Sequence, residues 1–159
     1  MTLVWSTLAA GFIGTMVLTT MVRGATEMGL TRMDLAFMLG TVVTDDRRKA
    51  RAAGYGFHFM FGLVFALMYG AFFAIIGRSS WQLGAVLGGV QAFFVATVVV
   101  NEILPAIHPR MGTFDTAANE FALIEPPGFL MINYGRSTVV VTLLAHIAYG
   151  AIIGAIVNV

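Results

Sequence analysis

The sequence predicts an all-α integral membrane bundle of four transmembrane helices, with a short interfacial amphipathic helix after the first. Three observations carry that prediction. The residues are 58% hydrophobic and 11% charged, against about 25% charged in soluble domains. Four apolar runs, at about 3–22, 54–77, 83–104 and 137–157, are each long enough to cross a bilayer. Within every run small residues recur four apart, the spacing that lets helix backbones approach closely in a membrane. The length fits one domain spanning 1–159.

The first span carries Ala10 and Gly14 as its small pair. Thr15, Thr19 and Thr20 can bond back to carbonyls of their own helix. No basic residue precedes the run and no A-x-A signature follows it, so a signal peptide is not expected. Arg23 ends the apolar stretch. In the connection that follows, Thr31 and Asp34 have capping-box spacing. Leu35, Phe37, Met38 and Leu39 come next, predicting a helix over 32–43 lying in the interface. The run DDRRKAR, 45–51, completes the connection. Six of the nine basic residues lie between Arg23 and Arg51. An excess of Lys and Arg marks a cytoplasmic connection. Both termini are then expected outside, and the location expected is a bacterial cytoplasmic (inner) membrane.

The second span, GYGFHFMFGLVFALMYGAFFAIIG, contains no Asp, Glu, Lys or Arg and one histidine, His58. Every fourth residue gives Gly54, His58, Gly62, Ala66, Gly70 and Ala74. That face is expected to pack inside the bundle and to carry His58 with it. Residues 78–80 make a turn, and Trp81 stands where an interfacial aromatic belongs. The third span presents Gly84, Gly88, Ala92 and Ala96, with Gln91 in mid-membrane and Asn101 and Glu102 near its end. Pro105 is expected to close it.

The long connection 106–135, cytoplasmic in this topology, holds Pro109, Pro126 and Pro127 and two apolar patches. Loops of this length usually have a task. Phe121, Leu123, Ile124, Phe129 and Leu130 are the candidate docking residues, against the membrane or a partner subunit. The fourth span presents Thr142, His146, Gly150 and Gly154 on one face.

HFMFG (58–62) and HIAYG (146–150) are both H-x-x-x-G within a span. Taken with GFIGTMVLTTMV (11–22), MDLAFMLG (33–40) and INYGRSTVVVTLLAHIAYGAIIG (132–154), they resemble a bacterial family of small four-span membrane proteins of unknown function. The resemblance covers most of the chain, and residues near 113–130 look like an insertion against the shorter form. It implies a four-helix membrane fold and supplies no activity.

Two residue sets could carry chemistry. His58 and His146 fall in the same half of the membrane, and their depths differ by roughly 6 Å at the helical rise. Two imidazoles on facing helices can hold haem b. The plainer reading is an interhelical hydrogen bond from each. Glu27, Asp34, Glu102 and His108 gather near one membrane boundary and have metal-ligating chemistry. However, no E-x-x-H pair occurs on one helix, so no metal site is assigned. Glu102 is expected to pair with Arg23 or Arg110 instead. The chain has no Cys and no G-x-S-x-G, so nucleophilic catalysis finds no support. There is no basic stripe of the kind nucleic-acid binding needs. The spans show no interruption of the kind that builds a transporter site.

The expected function is therefore a non-catalytic accessory subunit, packing against other integral membrane subunits or itself and solvated by lipid. A bis-histidine haem b protein is the alternative, and a small oligomeric channel or carrier the third. Small-residue faces on all four spans are the motive for the first reading.

Overall fold

The computed structural model describes residues 2–111 and 124–159. Four long helices dominate it. They are α1 (Leu3–Glu27), α3 (Arg47–Ile76), α4 (Trp81–Ile107) and α5 (Arg136–Ile156), each long and apolar enough to cross a membrane. The short α2 (Leu35–Gly40) sits between α1 and α3, and a 3₁₀ turn, Phe129–Tyr134, precedes α5. The chain is an all-α, four-helix membrane bundle.

Local signals set the helix ends. Asp46 caps α3, its carboxylate accepting from the Lys49 N–H at 2.8 Å. This cap draws the basic run into the helix, so α3 starts two turns before the apolar stretch does. Gly77 stops it in a left-handed conformation, φ 67°, where glycine is unstrained. Ser80 then caps α4 through the Leu83 N–H. α1 likewise runs past its apolar stretch, to Glu27.

One expectation for α4 is corrected. Pro105 does not close the helix, which continues to Ile107. Proline sits in the first turn of the final segment, Leu104–Ile107, where its missing N–H is tolerated. The span stays one continuous helix, within which Val95–Ile103 is π-helical. Its β-branched residues, Val95 and Thr97 to Val100, are poor α formers.

Glycine faces decide the packing. A Cβ on Gly84 would overlap the Gly150 carbonyl, one on Gly88 the His146 carbonyl, and one on Gly154 the Ser80 carbonyl. α4 and α5 therefore meet backbone to backbone. Gly62 and Gly70 of α3 receive Thr15 and Thr7 of α1, and Gly14 of α1 abuts Tyr149 of α5. α1 and α5 form the central pair, with α3 against α1 and α4 against α5. Ala10, Leu18, Ala66, Phe73, Ala145, Tyr149 and Ile153 are buried between them. The bundle's outer surface is apolar, with Phe12, Met60, Met68, Val86, Val90, Phe93 and Leu144 all exposed.

The expected interfacial helix over 32–43 is corrected too. Only Leu35–Gly40 is helical. Its cap is Asp34, which accepts from the Phe37 N–H at 3.0 Å, and not Thr31. The Thr31 hydroxyl accepts from its own Met33 N–H and bonds Thr138 of α5 at 2.7 Å. α2 does not lie free on a surface. Gly54 packs under the Ala36 carbonyl and Gly40 under that of Ala50, which fastens α2 to the first turns of α3. Arg51 strengthens this joint, reaching Asp34 at 2.8 Å.

The two ends of the bundle differ. Trp5 and Trp81 are exposed at one end. All basic residues except Arg78 belong to the other end, where α1 and α4 finish and α3 and α5 begin.

Candidate functional site

α3 and α4 are joined by a four-residue turn yet pair closely with different helices among the described residues. Between them lies a cavity of about 330 Å³, within the size range of small-molecule sites. Phe61 and Phe65 of α3 form one wall, and Phe94, Val95, Val99 and Ile103 of α4 the other. Thr15 and Leu18 of α1 and Thr142 and Tyr149 of α5 make the floor. Leu35 and Met38 of α2 and Met131 of the 3₁₀ turn line the end nearest the basic residues. Met131 and Leu130 have φ of 61° and 53°, a left-handed conformation costing a non-glycine residue on the order of 1 kcal/mol or more. Met131 is nonetheless fully buried against the core.

His58 and His146 both border this cavity, so the two H-x-x-x-G histidines do come together. His58 Nδ1 lies 2.9 Å from the Thr19 hydroxyl. That hydroxyl already donates its single proton to the Thr15 carbonyl at 2.6 Å, so it accepts from His58. His146 Nδ1 lies 2.8 Å from the Thr142 carbonyl, which can only accept. Each neutral ring therefore carries its proton on Nδ1 and keeps a lone pair on Nε2. Neither Nε2 has a hydrogen-bond partner among the described residues. His58 thus bonds a neighbouring helix, as its interhelical reading requires, whereas His146 bonds its own.

Sequence reasoning placed Gln91 in mid-membrane as a candidate partner of the histidines, and among the described residues it bonds neither. Its Oε1 accepts from Tyr69 at 2.7 Å, and its amide N–H₂ has no partner among the described residues, Gln91 being part of the cavity lining. Tyr149 donates to the Gly62 carbonyl at 2.5 Å and contributes only its ring. The Thr142 hydroxyl is buried and has no partner among the described residues. Thr19 bonds back to its own helix as expected, whereas Tyr69 and the Thr142 hydroxyl went unassigned because their roles depend on a bond to another residue, or on the lack of one.

The acidic set does not assemble. Glu27 pairs with Arg23 at 2.9 Å and Asp34 with Arg51. Glu102 accepts from its neighbour Asn101 at 2.8 Å and from neither Arg23 nor Arg110. Arg110 instead donates to the Thr41 carbonyl at 2.8 Å. Among the described residues no three of His, Asp and Glu gather as metal ligands do. His108 has a structural place. Its Nδ1 accepts from the Arg110 N–H at 3.1 Å, so Nε2 carries the proton and donates to the Met38 carbonyl at 3.1 Å. Burial holds its pKa below the ordinary value, outweighing the bond to Met38.

Of the candidate docking residues, Phe129 is exposed, while Leu130 and Ile124 are half-buried against the core. Phe121 and Leu123 lie outside the described residues. No family model, curated protein or solved structure matches the chain.

Proposed function

We propose that this small polytopic membrane protein is a non-catalytic binding protein. It takes a lipid-soluble molecule with a polar head into the cleft between α3 and α4. The observation that carries this reading is the cavity itself. Apolar side chains from all four spans surround two imidazoles and an amide whose hydrogen-bonding capacity is unfilled among the described residues. Intramembrane polar groups are costly and mark functional sites. Purification in lipid nanodiscs, followed by mass spectrometry of bound small molecules, tests it. Val99→Trp, which fills the cavity wall, should lose the molecule that the wild type carries. Equal amounts on both, or none on the wild type, would sink the reading.

The accessory-subunit reading loses its first motive. The small-residue faces of all four helices are occupied by one another within the chain. What supports it now is the exposed Phe129 and Ile132. Co-purification of the same subunits by Phe129→Asp and wild type would remove that support.

Haem b is supported by one specific observation: His58 and His146 both border one cavity and are the residues that would hold the iron. When bound, a haem would supply one-electron transfer. A Soret band that His146→Gln abolishes would establish this reading. Transport, the third reading, is tested by flux in liposomes. The orientation proposed is the basic end in the cytoplasm, in a bacterial inner membrane.

A further inference from the structure

We propose that the cleft recognises an aromatic hydroxyl, the head of a lipid-soluble phenol or hydroquinone, and discriminates against the same head without its O–H. This inference rests on the ligand-binding reading of the cleft and adds to it the chemical class of the head.

The hydrogen-bond inventory selects the head. His58 and His146 are both fixed as Nδ1–H tautomers, by Thr19 and by the Thr142 carbonyl. Both Nε2 atoms can then only accept. A ligand oxygen without a proton, as in a ketone or an ether, would set lone pair against lone pair at each of them. A hydroxyl donates there. The same hydroxyl oxygen has lone pairs left to accept, and the Gln91 amide N–H₂ stands beside the cavity with its carbonyl already held by Tyr69. One Nε2 takes the O–H proton and the Gln91 amide meets the oxygen's lone pair, so a group that both gives and takes a hydrogen bond fits. The walls favour a flat head, because Phe61, Phe65, Phe94 and Tyr149 line the same space, and aromatic rings pack on one another edge-to-face or offset. The apolar remainder of such a molecule would lie along Val95, Val99 and Ile103, in the gap through which a bilayer solute would enter.

The histidines offer a direct readout, since the chain holds only three. In full-length protein labelled with [15N]histidine, 4-octylphenol should move the Nε2 resonance of His58 or of His146, whichever accepts its single O–H. His108, whose Nε2 is already bonded to Met38, should stay still. The methyl ether of the same phenol should move none of them. The phenol should also bind about tenfold more tightly than the ether, the worth of one to two neutral hydrogen bonds. His58→Phe or His146→Phe, made at the histidine whose resonance moves, should reduce the phenol to the level of the ether, with ether binding retained as proof that the variant folds. Three results would overturn the inference. If phenol and ether bind equally with no histidine resonance moving, the cavity reading stands and the hydroxyl class falls. If neither binds, the cavity reading falls with it. If the unliganded protein shows Nε2–H tautomers at His58 and His146, the hydrogen-bond argument itself is wrong.

Discussion

Gly56 and Gly150 are both glycines within long apolar helices, and their surroundings are opposite. A Cβ on Gly150 would run into the Gly84 carbonyl and the Gly88 nitrogen, both backbone, whereas one on Gly56 would meet nothing within 4 Å. Gly150→Ala should therefore part α4 from α5 and cost on the order of 1–3 kcal/mol, as overpacking does. Gly56→Ala should be neutral or stabilising by up to about 1 kcal/mol, because glycine is the poorer helix former. Thermal unfolding of both variants in one detergent checks the contrast. His58 makes a second residue-scale test. His58→Gln keeps a donor for Thr19, and His58→Leu does not, so the Leu variant should be the less stable by about 1 kcal/mol. Equal melting temperatures would show that the Thr19 bond does nothing for the fold. The small-residue faces were legible because a four-residue spacing nearly matches the helical repeat. They blurred with length because four residues overshoot a turn of 3.6. By Ala74 the face has rotated outward, and Phe73 is buried in its place.

At the scale of elements, α2 is held from two sides. Gly40 and Gly54 bring it against α3, while His108 and Arg110, just past the end of α4, grip the Met38 and Thr41 carbonyls. His108 is neutral in this grip, and the proton it would gain must point at the Arg110 N–H. Its folded pKa lies below the unfolded value of about 6.5. Between the two values the unfolded chain binds more protons, so the contribution is complete above the unfolded pKa and fades as pH falls through the folded one. Amide protection over 33–44, relative to the intrinsic exchange rate at each pH, should fall on acidification below about pH 6, and His108→Gln should flatten that dependence. The sequence announced a helix here and overestimated its length. Thr31 looked like its cap because the hydroxyl's partner, Thr138, lies 107 residues away. The π-helical stretch was illegible for a similar reason. A valine run says only that the α form is poor, and the packing decides what replaces it.

For the whole molecule, charge gives the sharpest expectation. With every basic residue except Arg78 at one end, reporter fusions at Val159 and at Met28 should fall on opposite sides, the latter cytoplasmic. A cytoplasmic Val159 would reverse the orientation proposed here. The four spans were readable from hydropathy alone, since length and apolarity are local properties, but the ends of α1, α3 and α4 ran past their apolar stretches. The cleft was not readable. It depends on which helices pair, and consecutive spans are the usual neighbours. The protonation of its histidines depends on Thr19 and Thr142, which a motif of histidine and glycine does not mention.

That choice of neighbours has a consequence for how the chain is born. α1 and α3 have each other as soon as the first half has left the ribosome, with Thr7 and Thr15 seated on Gly70 and Gly62. α4 emerges next without its mate, its Gly84 and Gly88 facing carbonyls of a helix not yet made. It must wait in the lipid until 136–156 is synthesised. Only then can the seam between α4 and α5 close, and with it the second wall of the cleft. Chains cut after Gly77 should accumulate better than chains cut after Ile107, although the longer piece carries more of the protein, and pulse-chase labelling of the two would show it. Quality control would then meet its most vulnerable species three-quarters of the way through synthesis.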